Sequence, residues 1–111
     1  MSLLAFVPMS DAADYFWVGG TGEWSDLSHW ATTSGGAVSH SALPTSGDDV
    51  FFDVASFQNA TDVVTIGTDA TFRNLRITTR PNVTFTGPVN VTMNCHGLIL
   101  IDSDVQYNFD G

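Results

Sequence analysis

The chain has 111 residues, with twelve acidic side chains, three arginines (Arg73, Arg76 and Arg80) and no lysine, for a formal net charge of −9. That balance argues against nucleic acid as a partner, which needs a basic footprint to displace counterions, and against an anionic membrane surface. At 43% hydrophobic residues it is composed as a single globular domain with a modest core.

Residues 1–13, MSLLAFVPMSDAA, join a short apolar run, Leu3 to Val7, to small residues ending at Ala12 and Ala13. The pattern matches the tail of a secretory signal peptide without its basic start, or a leader, so it stands apart from the fold. No stretch approaches the roughly 20 apolar residues of a membrane-spanning helix.

Residues 14–47 form a second segment. It opens with YFWVGGTGEWSDLSHW (15–30), which holds all three tryptophans of the chain. Gly19, Gly20 and Gly22 allow a tight turn between Trp17 and Trp24. Helix signals are nearly absent; Ser25 is placed to cap a single turn through Asp26, Leu27, Ser28 and His29. Residues 31–47 are small, polar and glycine-rich, which predicts a loop. Pro44 and Gly47 lead it into the first strong strand.

From residue 48 to 111 strand signals dominate. Strands are expected at 48–54, 62–67, 70–79, 82–87, 89–94, 97–102 and 104–109. Several alternate apolar and polar residues, as Val83 and Phe85 do against Thr84 and Thr86. The connections carry no Asn-Gly or Asp-Gly hairpin turn. Short strands with tight corners predict an all-β fold, the start of a right-handed parallel β-solenoid, with an antiparallel β-sandwich as the alternative. The chain stops straight after a strand, so the solenoid reading expects its open edge to be paired by more chain or by another copy.

The residues YFWVGGTGEWSDLSHWATTSGG, then LPTSGDDVFFDVASF, then a Val-Thr-Ile strand carry a family likeness. They resemble a tryptophan- and glycine-rich module near the N-terminal end of β-helical regions in large secreted adhesin-like surface proteins of Bacteroidetes-type bacteria. The resemblance covers roughly residues 15 to 109. It implies a secreted or cell-surface location and a structural role. This chain lacks the length and C-terminal sorting domain usual in such proteins.

A solenoid's first coil has an apolar cross-section that must be covered. Trp17, Trp24 and Trp30, with Phe16 and Leu27, supply the area for a cap, and the indole N–H groups can reach loop carbonyls. The alternative is a carbohydrate-binding module in which exposed Trp17, Trp24 and Trp30 stack on sugars. Burial of at least two of the three separates the readings.

Catalytic and metal chemistry find little support. Asp48, Asp49 and Asp53 are the calcium candidates, but no calcium-loop spacing surrounds them, and a solvated approach to the strand explains them better. Glu23, Asp26 and His29 are spaced by three, yet neither His40 nor His96 completes a zinc set. There is no nucleophile elbow and no phosphate loop. Cys95 stands alone as a small core side chain, and neighbouring strand residues Cys95 and His96 point to opposite faces. The sequons at Asn59, Asn82 and Asn90 fit the Thr/Asn composition of outward strand positions. The arginines read as surface counter-charges. The sequence therefore predicts no enzyme and no cofactor. It predicts a non-catalytic structural module of an extracellular adhesin-type protein or fibre, with polysaccharide as the alternative partner.

Overall fold

A computed structural model of the protein describes residues 13–59, 61–78, 84–88, 90–101 and 109–110. Across them the chain is nearly all strand, with a single 3₁₀ turn at Leu27–His29, which makes the fold all-β. The strands are β1 (Asp14–Trp17), β2 (Gly22–Glu23), β3 (Trp30–Ala31), β4 (Asp49–Phe52), β5 (Val63–Thr65), β6 (Ala70–Phe72), β7 (Asn74–Ile77), β8 (Thr84–Thr86), β9 (Met93–Cys95), β10 (Ile99–Ile101) and β11 (Phe109–Asp110).

Three sheets collect them. The first is mixed and runs β10-β7-β4-β1-β3; the second runs β11-β8-β5-β2; β6 and β9 form the third. β1 and β3 pair antiparallel, whereas the other strand pairs among the described residues are parallel; an isolated antiparallel bridge joins Ala31 to Ser39. The strands β4, β5 and β6 visit the three sheets in turn, and β7, β8 and β9 revisit them in the same order. From β4 to β7 and from β7 to β10 the partner in the first sheet thus lies 25 and 24 positions further along, Asp49 opposite Asn74 and Leu75 opposite Ile99, whereas β1 to β4 spans 35, Asp14 opposite Asp49.

Alternation explains the faces. In β4, Val50 and Phe52 are buried while Asp49 and Phe51 look outward. In β7, Leu75 and Ile77 are buried and Arg76 is exposed. The expected strand 70–79 is broken at Arg73 into β6 and β7, which lie in different sheets. The spacing of its apolar residues requires this. Phe72 and Leu75 are both buried, yet an odd spacing of three would put them on opposite faces of one strand. A corner between them turns both inward. The strand expected over 89–94 begins later, at Met93, with Val91 half-buried ahead of it. Val89, Val83 and most of 104–109 lie outside the described residues. The N-terminal aromatic segment, expected as a capping turn, begins with a strand, β1.

The core is aromatic. Trp17, Trp24, Trp30, Phe52, Phe72 and Phe85 are all essentially without exposed surface. Trp30 meets Trp17 edge-on at 5.1 Å and Trp24 at 4.8 Å between ring centres. Phe52 meets Phe85 edge-on at 4.9 Å. Edge-to-face geometry suits rings with negative faces and positive rims, and adds about 0.5–1.5 kcal/mol per pair to the burial itself.

Candidate functional site

The tryptophan-rich segment closes one edge of the first sheet. Three features of the local sequence set its shape. β1 carries Trp17 inward, the chain reverses through Gly19–Gly20, and a 3₁₀ turn returns it as β3 beside β1, with Trp17 opposite Trp30. The turn is capped by Asp26, whose carboxylate accepts from the Ser28 amide at 3.0 Å and the Ser28 hydroxyl at 2.7 Å. The cap thus falls one residue after the expected Ser25, where a single side-chain oxygen of Asp26 reaches both donors. These bonds, the hydroxyl's first, hold the Asp26 carboxyl below its usual range.

The indole of Trp17 donates to the Gly20 carbonyl and that of Trp30 to the Trp24 carbonyl, each at 2.7 Å. Gly20 is itself tied down, its amide donating to the Ser56 carbonyl at 3.0 Å. Leu27 is half-buried at the start of the turn. Phe16, expected in the cap, is instead on the outer face. It alternates with the buried Tyr15 and Trp17 and stacks on Phe51 at 4.8 Å.

His29 explains two of the glycines. Its ring lies flat on Trp17, 4.6 Å between centres and 6° between planes. Its Nδ1 sits 2.6 Å from the Val18 carbonyl, which can only accept, so Nδ1 carries the proton. The ring fills the space where a side chain at Gly22 would be, and a Cβ on Gly19 would come within 2.8 Å of it. Gly19 also has φ +88°, in the left-handed region that favours glycine.

The sequence-predicted chemical residues do not converge. Asp26 lies 3.9 Å from His29 Nε2, while the Glu23 carboxylate leans toward Gly67. Asp48 accepts from the Ala13 amide and from the Thr45 amide and hydroxyl, so Ala13, assigned by sequence to the leader, is bonded into the fold. Asp49 takes a bidentate pair from Arg73, 2.9 Å at Nε and 2.8 Å at Nη2, plus the Asn74 amide at 3.0 Å. The Arg73 hydrogen bonds, set against partial burial, hold Asp49 below the usual carboxylate range. Asp53 accepts from the Ala55 amide and from the Ser34 and Ser56 hydroxyls. The expected solvated approach to the strand is therefore a set of fixed carboxylates, each tied to different donors. Among the described residues no group of three His, Cys, Asp or Glu side chains could hold a metal ion.

The remaining candidates are separate. His40 stacks on Tyr15 at 3.6 Å and donates to the Asp14 carbonyl. Cys95 is half-buried rather than fully buried, its Sγ 3.5 Å from the Arg73 carbonyl, and His96 is exposed. Asn59 lies in a turn rather than a strand, Asn90 is exposed, and Asn82 and Arg80 lie outside the described residues.

Sequence reasoning missed Asp62. This buried carboxylate accepts from the Gln58 and Asn59 amides at 2.9 and 3.0 Å and from the Thr21 hydroxyl at 3.2 Å. It latches the loop before β5 to the glycine turn. Burial raises its pKa, and the Asn59, Gln58 and Thr21 hydrogen bonds outweigh that and leave it lowered. No local motif announces this, because Thr21 and Asp62 are brought together only by the parallel pairing of β2 with β5.

All three tryptophans, with relative exposures of 0–1%, lack the open ring face that a sugar platform needs. Sugar stacking on Trp17, Trp24 and Trp30 is corrected accordingly: their rings are spent on the core. In comparisons with known proteins, no family model, no curated protein and no solved structure matches the chain. No helix among the described residues is long and apolar enough to cross a membrane.

Proposed function

We propose that this chain is the capped start of a right-handed parallel β-solenoid, serving as a non-catalytic structural module of an extracellular adhesin-type surface protein or fibre. The observation that carries the reading is the asymmetry of the first sheet. One edge is covered by antiparallel β3 and the buried tryptophans; the other ends on β10, beside which Leu98 is 64% exposed and Ile99 and Leu100 are 50% exposed. An edge with apolar side chains and unpaired backbone is a template for another strand. The return of successive strands to the same three sheets supports stacked coils, and parallel crossovers favour the right hand. The acidic surface suits an extracellular protein that must stay soluble.

In this reading the open edge is paired by further chain or by another copy, and the tryptophans cover the cross-section at the other end. The test is the oligomeric state of the isolated protein, by light scattering coupled to size exclusion over a concentration series. A discrete oligomer or filament that Ile99→Lys converts to monomer is expected. A wild-type monomer at every concentration would overturn assembly through this edge and favour a closed sandwich.

A further inference from the structure

The outer face of the first sheet carries a row that the cap and the edge do not explain. Phe16, Phe51, Arg76 and Leu100 sit opposite one another on β1, β4, β7 and β10. Phe16 and Phe51 are half-buried and stacked, Arg76 is exposed, and Leu100 is half exposed. A half-open groove of about 190 Å³ runs beside the row, lined by Phe51, Arg76, Leu98 and Leu100, with Asp49 and Asn74 along one side. We propose that this row docks a short extended peptide segment in which a carboxylate is flanked by large apolar side chains.

Charge selects the carboxylate. The chain carries −9 overall, yet Arg76 stands between apolar neighbours. Among the described residues, the arginine ion pair is Asp49 with Arg73, and it does not engage Arg76. Its guanidinium offers a planar fork of donors. The polar neighbours are already occupied. Asp49 holds Arg73 and the side-chain amide of Asn74, and the Asn74 side-chain oxygen Oδ1 accepts from the Leu98 backbone amide at 2.8 Å. A polyhydroxylated sugar would find few open partners there, whereas one carboxylate with apolar flanks is fully matched.

Size selects a peptide. A pocket of about 190 Å³ is smaller than the roughly 300–1,000 Å³ that hold drug-sized ligands, and suits one or two side chains. A second copy fits poorly. Five strands about 4.8 Å apart give a face about 20 Å wide, and strands of two to four residues make it at most about 13 Å long, so its roughly 260 Å² is well short of the ~800 Å² per partner of a stable interface. The site does not depend on how the β10 edge is paired.

The test uses a fluorescein-labelled peptide, Ser-Phe-Ser-Glu-Ser-Leu-Ser, with the intact protein, read by anisotropy and by amide shifts in ¹⁵N spectra. Saturable binding, with shifts confined to β4, β7 and β10, is expected. It should weaken about fivefold in Arg76→Gln, the upper range for an exposed charge pair, and weaken with salt. Leu100→Ser is a second variant that should also weaken it; both positions are exposed, and the tryptophan near-ultraviolet signal verifies the fold. Any of four results would overturn the proposal: no saturable binding, equal binding of the peptide with Lys in place of Glu, binding of oligogalacturonate in place of the peptide, or concentration-dependent self-association through this face.

Discussion

At one edge of the first sheet, β3 lies antiparallel beside β1, and behind it Trp17, Trp24 and Trp30 are sealed in the core. At the other edge, among the described residues, β10 has a neighbour on one side only, with Leu98, Ile99 and Leu100 half exposed or more. The same hydrophobic rule acts at both edges. The first has a chain that folds back on itself within 17 residues, from Asp14 to Trp30, because glycines and a 3₁₀ turn permit the reversal. The second has apolar side chains and no returning segment among the described residues. Closure of an edge is thus a property of local chain reversal, not of apolar content.

Substitutions can break this comparison, and the cap should show the largest effect. Trp30→Ala is expected to cost about 3–5 kcal/mol, the range for truncating a buried large aromatic, and more than removing any side chain of β10. Urea denaturation of variant and wild type measures it. Against a total stability of about 5–15 kcal/mol, such a loss leaves the domain marginal.

Gly22→Ala comes next. The new Cβ would strike the His29 ring, which Trp17 stacking and the Val18 carbonyl hold in place. Overpacking of this kind costs about 1–3 kcal/mol. Adding His29→Ala should recover part of that loss in a double-mutant cycle; strictly additive losses would show that the ring does not wedge the turn.

Acid should loosen both the cap latch and the sheet's polar border. The Arg73 hydrogen bonds hold the Asp49 carboxyl below the usual carboxylate range, and at Asp62 burial is outweighed by the hydrogen bonds from Asn59, Gln58 and Thr21, with the same result. A depressed carboxylate contributes stability that is fully present above its unfolded pKa of about 3.9 and is lost as pH falls through the lower folded value. Melting temperatures should therefore fall as the pH is lowered below about 4, and Asp62→Asn should flatten the drop. At neutral pH that variant should lose about 1–2 kcal/mol, since an amide replaces a hydrogen-bonded charge. An unchanged acid slope would remove Asp62 from the account.

The smallest effect on stability is expected at the open edge. Ile99→Lys, on a half-exposed side chain, should shift unfolding by no more than about 0.5 kcal/mol. Its effect should appear in association instead, as reduced light scattering at high concentration. A large destabilisation would mean that β10 is packed more tightly than its exposure implies.

Much of the strand content was legible because alternation is a local signal. Val50, Phe52 and Phe85 announce their buried faces in sequence. The break at Arg73 was also present, hidden in the spacing of Phe72 and Leu75, but two faces of one strand and two strands around a corner look alike until a partner strand is known. Phe16 misled because aromatic content says nothing of direction; alternation with Trp17 sends it outward. The carboxylates read as solvated because their donors, Arg73 for Asp49 and Ala13 for Asp48, are 24 and 35 positions away.

By itself the sequence determined the acidic charge, the strand-rich character, the aromatic mass near residues 15–30 and the glycines that let the chain reverse, all carried by composition and near-neighbour spacing. Only the tertiary structure decided that the three tryptophans are buried, that Asp62 reaches Thr21, and that Arg76 falls between Phe51 and Leu100. Each of these depends on register between distant strands, set by the packing of the whole inward face rather than by any residue's neighbours.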